Sequence, residues 1–459
     1  MKLTVLGGGG VRSPFLAKYI ASRSKELNID NVIFMDNNSE KLKIYGGICK
    51  QTAKVVNSNL KFEITEDPVE ALCDADYIIT SLRVGEDQSR VYDERIPIKH
   101  GIIGQETTGP GGFAMALRSI KALKEYCALS KKYSKPEVLI FNFTNPSGLV
   151  TQALRNEGYN NVYGICDGPN GFLHELSNLL KIDIDDISVE CFGLNHLSWF
   201  RSIKVKGVEK IDEIINTPEL YTQTEMRLFD PELVKSLGMI PNAYLYYFYH
   251  REKAFSNISH SNKTRGETIK EINKLMYNEL CTLDPEKDFK KMLEIYLKYY
   301  SMREKSYMTI ESGSNTPHIE RPITWEDFFD IHGGEGYAGI ALNYIGALNP
   351  GTKKEMILSV PNNGMIYGLE DDDVVEITCY VDKNGAQPIN IGKVPDTEIS
   401  LIKQVKLYER LTVQAITEKS VDKAISALMV HPLVCSYSIA KELVNEYLNI
   451  YKPYTGIWR

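Results

Sequence analysis

A strand that runs straight into four glycines leaves few folds open. "KLTVL" (2–6) is a run of strand length, and Gly7, Gly8, Gly9 and Gly10 follow it without a break. Ser13 then reads as an N-cap and Pro14 as the first helical residue, where its missing N–H costs nothing. Phe15, Leu16, Tyr19 and Ile20 share one helical face, predicting a helix to about Asn28. "NVIFMD" (31–36) is a second strand, ending in Asp36. Strand, glycine turn, helix, strand and acid is the order a dinucleotide-binding fold requires. The glycines let the backbone approach a pyrophosphate, and the acid accepts from ribose hydroxyls. The G-x-G-x-x-G spacing is incomplete: Arg12 or Ser13 stands at the third glycine, depending on the start. A glycine turn with no cofactor is therefore the alternative reading. Asp36 would repel the extra phosphate of NADP, so NAD is the expected cofactor.

The alternation continues. Helical "NSEKLKIYGGICKQTAKVV" (38–56) precedes strands at 60–65, 76–82, 137–143 and 162–165. This predicts an α/β fold: a Rossmann-like domain over 1–170 and a second, mixed α/β domain over 171–459. No Pro/Gly/Ser linker separates them, and a break near 165–175 would fall inside an active site built at a domain interface. Strand ends of a parallel sheet gather at one rim, where such sheets bind ligands. Arg83, Asn142, Asn145, Cys166 and Asp167 all fall at strand ends. Later segments read as a helix at 267–280 and a strand at 374–382, the latter alternating Val375, Ile377 and Cys379 on one face. The acidic run Glu370 to Asp373 reads as a solvated turn.

Composition narrows the partners. A net charge of −7 gives no basic footprint for nucleic acid. No apolar run reaches the roughly 18 residues of a membrane span, and the N-terminus carries no signal-peptide pattern. Eight cysteines are scattered singly, which predicts a reducing cytoplasm rather than a disulfide scaffold.

Cys166 and Asp167, side by side after a short strand, read either as a buried thiol beside a helix cap or as a chemical pair. A thiolate with an imidazole could hold a divalent transition metal. His196 follows the strand "ISVECFGL" in "GLNHLSW" (193–199) and is the candidate partner, although a lone histidine there also reads as structural.

Seven motifs carry a resemblance. "LGGGGVRSP", "RVGEDQSRVYDERIPIKHGIIGQETTGPGG" (83–112), "NFTNPSG" (142–148), "GICDGP", "GLNHLSW", "PNAYLYYFY" (241–249) and "MVHPLVCSYSIAKELVNEYL" (429–448) resemble, in order and spacing, the family 4 glycoside hydrolases. These are NAD-dependent exceptions to two-carboxylate glycosidases. The resemblance implies a lactate/malate dehydrogenase-like fold and hydrolysis of 6-phosphorylated glycosides. It implies Cys166 and His196 as ligands of Mn²⁺, and Tyr244 as the base at the sugar C2. Asp167 takes the place of an acid on the leaving oxygen, with helix capping as its rival role. Arg90, Asn145 and Asn195 match substrate-contacting positions, and Arg265 matches the arginine that receives the 6-phosphate. NAD falls on Gly7 to Gly10, Val11, Arg12, Asp36 and Asn145. The implied chemistry is hydride removal from C3, deprotonation at C2 beside a Lewis-acidic metal, elimination, water addition and re-reduction.

One motif departs from the family. The residue after the cysteine is usually Asn in the 6-phospho-β-glucosidases and Asp, before Met-Pro, in the α enzymes. Cys-Asp-Gly-Pro matches neither. The segments "NFTNPSGLVTQAL" and "HPLV" favour the β-linked phosphoglucoside, with the α anomer as the alternative. A 2-hydroxy acid dehydrogenase and a non-catalytic NAD sensor are the readings from other classes. Family members form dimers or tetramers, so a homodimer or homotetramer is expected.

Overall fold

The computed structural model describes residues 1–313, 322–330 and 336–459, so His318 and His332 lie outside the described residues. The chain forms two compact units. The first comprises Met1–Asn145, Leu154–Val162 and Lys253–Ala338. The second comprises Pro146–Ala153, Tyr163–Glu252 and Gly339–Arg459.

Five strands build the sheet of the first unit: β1 (Lys2–Leu6), β2 (Asn31–Met35), β3 (Lys61–Thr65), β4 (Tyr77–Thr80) and β5 (Leu139–Asn142). All neighbours are parallel, in the order β3-β2-β1-β4-β5. Parallel strands need crossover helices, which cover both faces of the sheet. The interiors of β1 and β2 are accordingly almost wholly apolar, with Leu3, Val5, Val32 and Phe34 fully buried and the one polar residue, Thr4, donating its hydroxyl to the Ala71 carbonyl at 2.6 Å. The α/β parallel architecture is as expected from the sequence.

The first helix differs in detail. It spans Ser13–Arg23, and Arg12, not Ser13, occupies the N-cap position. The glycine turn closes with the Ser13 N–H donating to the Gly10 carbonyl at 3.0 Å, which places Ser13 inside the helix. Its hydroxyl then donates to the Gly7 carbonyl at 3.4 Å instead of capping. The helix also stops short of Asn28: it ends at Arg23, and a turn runs on to Asn28 at φ +53°.

Three later helices of the first unit bear on the site: Glu86–Lys99, Arg265–Leu280 and Phe289–Lys305. The last two pack with Tyr45 and Ile48 in one apolar cluster, in which Met276, Met292, Tyr296 and Phe328 have no exposed surface. Full burial of such side chains stabilises by about 1.5–3 kcal/mol each.

The second unit is mixed. Its strands are β6 (Val162–Gly164), β7 (Ile187–Leu194), β8 (Leu197–Val205), β9 (Val208–Glu209), β10 (Ile240–Pro241), β11 (Lys354–Pro361), β12 (Val374–Asp382) and β13 (Gly385–Pro388). Strand β11 runs antiparallel to β12 along its length and meets β6 at Ser359 and Gly164. Strands β7 and β8 form a hairpin with a bulge at Glu190/Cys191. Strand β12 is buried on both faces, not only on the face of Val375, Ile377 and Cys379. The Thr378 hydroxyl accepts from the Cys191 N–H at 2.9 Å and donates to the Val189 carbonyl at 3.0 Å, so β7 covers the other face.

The acidic run also differs from its reading as a solvated turn. Glu370 to Asp372 are exposed, but Asp373 is buried and accepts from Arg410 Nε at 2.7 Å. Among the described residues, no helix is long and apolar enough to cross a membrane.

Candidate active site

The residues singled out from the sequence fall into two groups, one in each unit. In the first unit the glycine turn takes its shape from close backbone packing. Gly7 has φ +95°, and a Cβ there would lie 2.5 Å from the Ser81 carbonyl oxygen. The Gly7 and Gly8 N–H groups both donate to the Met35 carbonyl, at 2.9 and 2.8 Å, and bind the turn to the end of β2. Asp36 stands at that same end. Its carboxylate accepts from the Gly9 N–H and from the Asn38 N–H, both at 3.0 Å. Burial raises the Asp36 pKa, and these two N–H groups work against the rise. A carboxylate fixed beside the glycine turn suits the ribose hydroxyls of a dinucleotide, with Val11 and Arg12 leading into the helix N-terminus. Asn145 is half-buried in the bend that follows β5.

Arg90 lies on the helix Glu86–Lys99 and is buried among carboxylates. Its Nε donates to Glu94 at 2.9 Å, and its Nη1 pairs with Glu106 at 3.1 Å. Arg83 Nη1 lies 2.5 Å from the other oxygen of Glu106. Burial alone would push Glu106 up, but Arg83, Arg90 and Arg265 outweigh it and hold the carboxyl at about 2. Arg265 opens the helix Arg265–Leu280, which Thr264 and Glu267 cap reciprocally. Its Nη1 donates to the Ser306 hydroxyl at 3.0 Å, and its guanidinium lies 5.1 Å from the Tyr307 ring centre. The next residue, Gly266, donates its N–H to Glu94 at 2.6 Å. One carboxylate network therefore joins Arg83, Arg90 and the start of the Arg265 helix. Lys263 takes no part in it: the lysine is exposed and pairs with Glu271.

In the second unit Cys166 is the N-cap residue of the helix Asp167–Leu180. Asp167 sits in the first helical turn, half-buried, where the helix dipole favours a negative charge. Asp167 is thus the first residue of the helix and not its cap. Asn195 and His196 form the two-residue connection of the β7–β8 hairpin, with Leu194 paired to Leu197. His196 is buried at φ +64°, a conformation uncommon outside glycine and Asn/Asp. Its imidazole stacks on the Tyr244 ring, with centroids 3.9 Å apart and planes within 4° of parallel. Tyr244 belongs to a short 3-10 turn, whose N-cap Asn242 accepts from the Tyr244 N–H at 3.0 Å. Its neighbours Tyr246 and Tyr247 are buried core residues, whereas Tyr244 is only half-buried.

Sequence reasoning missed Glu376. This carboxyl on β12 is buried, and accepts from Asn195 Nδ2 at 3.0 Å and from the Ser198 hydroxyl at 2.9 Å. It therefore braces both sides of the His196 turn. Burial pushes Glu376 up to about 7, against the pull of those two donors. Burial also pushes the Cys166 thiol well up, with the Glu376 and Asp167 charges adding to it, while the Gly168 N–H and the Asn195 side chain offset part. The only sequence signal was an acid interrupting the apolar run of "VVEITCYV".

A thiol, an imidazole and a ring hydroxyl in one neighbourhood suit a borderline transition metal better than Ca²⁺ or Mg²⁺. Among the described residues no cluster of three or more His, Cys, Asp or Glu side chains could hold a metal. Cys166 and His196 would then be the two protein donors, leaving positions open to a substrate.

Five parallel strands, a glycine turn and a fixed acid define a dinucleotide-binding α/β protein, with a second unit that carries a thiol–imidazole pair. More specifically, the pattern of the family 4 glycosyl hydrolases matches residues 2–182, and that of the family's C-terminal domain matches residues 191–434. The chain belongs to this family. It is 32% identical to the 6-phospho-beta-glucosidase BglT of Thermotoga maritima, with 100% of each chain aligned. The structure of the T. maritima 6-phospho-beta glucosidase with manganese, NAD⁺ and glucose-6-phosphate superposes with a TM-score of 0.81, covering 99% of both chains. A 6-phospho-alpha-glucosidase from gut microorganisms, solved with NAD and Mn²⁺, is 26% identical with a TM-score of 0.80, covering 100% of this chain and 99% of that one.

Proposed function

We propose that the chain hydrolyses 6-phospho-β-glucosides to glucose 6-phosphate, with NAD and a divalent metal, Mn²⁺ foremost, as its cofactors. The observation that carries the reading is the stacking of Tyr244 on His196 at 3.9 Å, on a turn whose Asn195 also faces the buried Cys166 thiol. When bound, NAD supplies reversible hydride transfer at C3, and the metal, held by Cys166 and His196, supplies Lewis acidity beside C2.

The protein's own residues do the rest. Tyr244, ionised to the phenolate, takes the C2 proton and so returns to the phenol, and its ring is fixed in place by the imidazole and by the capped turn. Asp167 delivers a proton to the departing glycosidic oxygen. Arg265 and Arg90, carried on a common carboxylate network, receive the 6-phosphate. Asn145 and Asn195 contact the sugar. The turn at Gly7 to Gly10 and the Asp36 carboxylate hold the dinucleotide. Because the hydride returns to the same sugar, NAD is catalytic and is not consumed.

The β reading is supported by the 32% identical relative; the α-active relatives are less similar, at 25–28%. Asp167 beside Cys166 is the feature that speaks for the α anomer. All eight cysteines are unpaired and three of them are exposed, which supports a reducing cytoplasm. A homodimer or homotetramer rests on the family alone, and sedimentation velocity tests it.

The direct test is a paired assay of p-nitrophenyl 6-phospho-β-glucoside and its α anomer. Each is run with NAD⁺ and Mn²⁺ under reducing conditions, then with either cofactor omitted. Cleavage of the β anomer that needs both cofactors is the expected result. Cleavage of the α anomer alone reverses the anomer. NADH accumulating in proportion to substrate would replace the hydrolase with a dehydrogenase.

A further inference from the structure

We infer that Arg303, on the last turn of the helix Phe289–Lys305, joins Arg12 as a second jaw on the pyrophosphate of the bound dinucleotide. The inference rests on the cofactor reading above, but not on the hydrolytic step. It starts from how that helix meets the glycine turn. The buried Tyr296 donates its hydroxyl to the Val11 carbonyl at 2.8 Å, and Phe15 of the first helix packs 4.7 Å from the Tyr300 ring. Arg303 lies seven residues beyond Tyr296, two turns along the same helix face.

The guanidinium of Arg303 is incompletely satisfied. Its Nη1 donates to Asn273 Oδ1 at 2.9 Å, but its Nε is buried and has no acceptor among the described residues. A buried donor of a charged group is costly to leave without an oxygen that accepts from it, and a ligand phosphate is one that could. The charges nearby point the same way. Burial works against the charge on Arg303 and Arg12 adds to that, while Asp87 and Glu304 favour it. Asp87 is already engaged, accepting from Asn273 Nδ2 at 2.6 Å. Arg12 itself lies over the Phe143 ring at 5.9 Å. Arg12 and Arg303 repel each other beside the dinucleotide turn, and an anion held by both would relieve that repulsion. A pyrophosphate diester brings two negative charges and oxygens spaced for the arginine fork.

There is a chemical reason for such a grip. In a redox-neutral cycle the reduced cofactor must stay until C3 is reduced again, because its loss midway strands an oxidised sugar. A jaw supplied from a remote part of the chain lowers the dissociation rate, which is where affinity is mostly tuned.

The other phosphate within the reading is that of the sugar, since Arg265 bonds Ser306 near the end of the same helix. Calorimetric titration of the full-length, cofactor-stripped protein separates the two sources. Arg303→Gln is expected to weaken NAD⁺ and ADP by about tenfold or more, the scale of a lost charge-assisted hydrogen bond. Adenosine and glucose 6-phosphate should bind as to the parent protein. Unchanged NAD⁺ affinity overturns the inference. So does a loss confined to glucose 6-phosphate, or one shared equally by adenosine. Arg303→Lys keeps the charge and removes the fork, which guards against a glutamine variant that fails to fold. It should show intermediate NAD⁺ affinity at the parent melting temperature, and parent-like affinity would equally overturn the inference. Because no turnover is measured, failure here is distinguishable from failure of the glycosidase reading.

Discussion

A phenol serves as a base only if its proton leaves in the right direction and its anion is stabilised where it forms. The parallel stacking of Tyr244 on His196 restricts the phenol to one plane, and the Asn242 cap fixes the turn beneath it. Tyr244→Phe is expected to lower kcat by about 10²–10⁴, the usual worth of a positioned base, with KM changed far less. Exchange of the C2 proton with solvent deuterium, followed by NMR, should vanish in parallel; retained exchange would remove Tyr244 from that role. Cys166→Ser should weaken Mn²⁺ binding by at least about 10-fold, since loss even of a supporting partner of a metal ligand costs that much. Metal titration of the purified protein checks this, and an unchanged affinity would take Cys166 out of the metal set. Cys166 and His196 stood out in the sequence, because a thiol and an imidazole at strand ends are chemically conspicuous, whereas Tyr244 came only through the family resemblance. Glu376 could not. Its importance lies in accepting from Asn195 and Ser198 across the sheet, and one acid in a strand carries no sign of its distant partners.

Short elements carry the candidate groups, and local rules decide most of them. The helix that presents Arg265 begins with a reciprocal Thr264–Glu267 cap, and Arg95 reinforces it by donating to Glu267 Oε1 at 2.9 Å. Thr264→Ala should cost about 1 kcal/mol of stability. Because Arg265 is the first residue inside, it should also raise KM for a 6-phosphorylated substrate more than it lowers kcat. Steady-state kinetics beside a melting curve check both expectations; a drop in kcat alone would contradict the second. The glycine turn is less forgiving. Gly7→Ala places a Cβ on the Ser81 carbonyl at a positive φ, a strain of about 1–3 kcal/mol. A melting temperature equal to that of the parent would contradict this. Strand β12 was predicted at its observed bounds, Val374–Asp382, because nine alternating residues leave little freedom. The start of the first helix was misjudged. Ser13 has the chemistry of a cap, yet the close packing of four glycines moved the cap back to Arg12.

At the scale of the molecule, burial of single groups sets the response to pH. His431 is almost fully buried, lies edge-on to Tyr408 at 4.6 Å and accepts from the Leu433 N–H at 3.2 Å. Burial lowers its pKa to about 3, so it stays neutral in the folded protein while the unfolded chain takes up a proton below about pH 6.5. Stability is therefore complete above that pH and is lost as pH falls toward 3, by roughly 2 kcal/mol between pH 6.5 and 5. His431→Asn keeps an acceptor for Leu433 but cannot charge, so its melting temperature should fall less steeply over that interval. Equal slopes for the two proteins would show that other groups dominate. The sequence by itself determined the α/β class, the parallel sheet of the first strands and the glycine turn, because these follow from hydrophobic period and from φ angles open mainly to glycine. It also determined the family, through motifs whose order is improbable by chance. Only the tertiary structure decided which carboxylates brace those motifs: Glu106 with Arg83 and Arg90, Glu376 with the His196 turn, Asp373 with Arg410. It also left the buried Arg303 Nε, among others, without an acceptor among the described residues. The physical reason is that local backbone preference acts over a few residues, whereas a buried charge is settled by whatever partner the fold brings from well beyond that range, 23 residues away for Arg83 and Glu106 and 181 for Asn195 and Glu376.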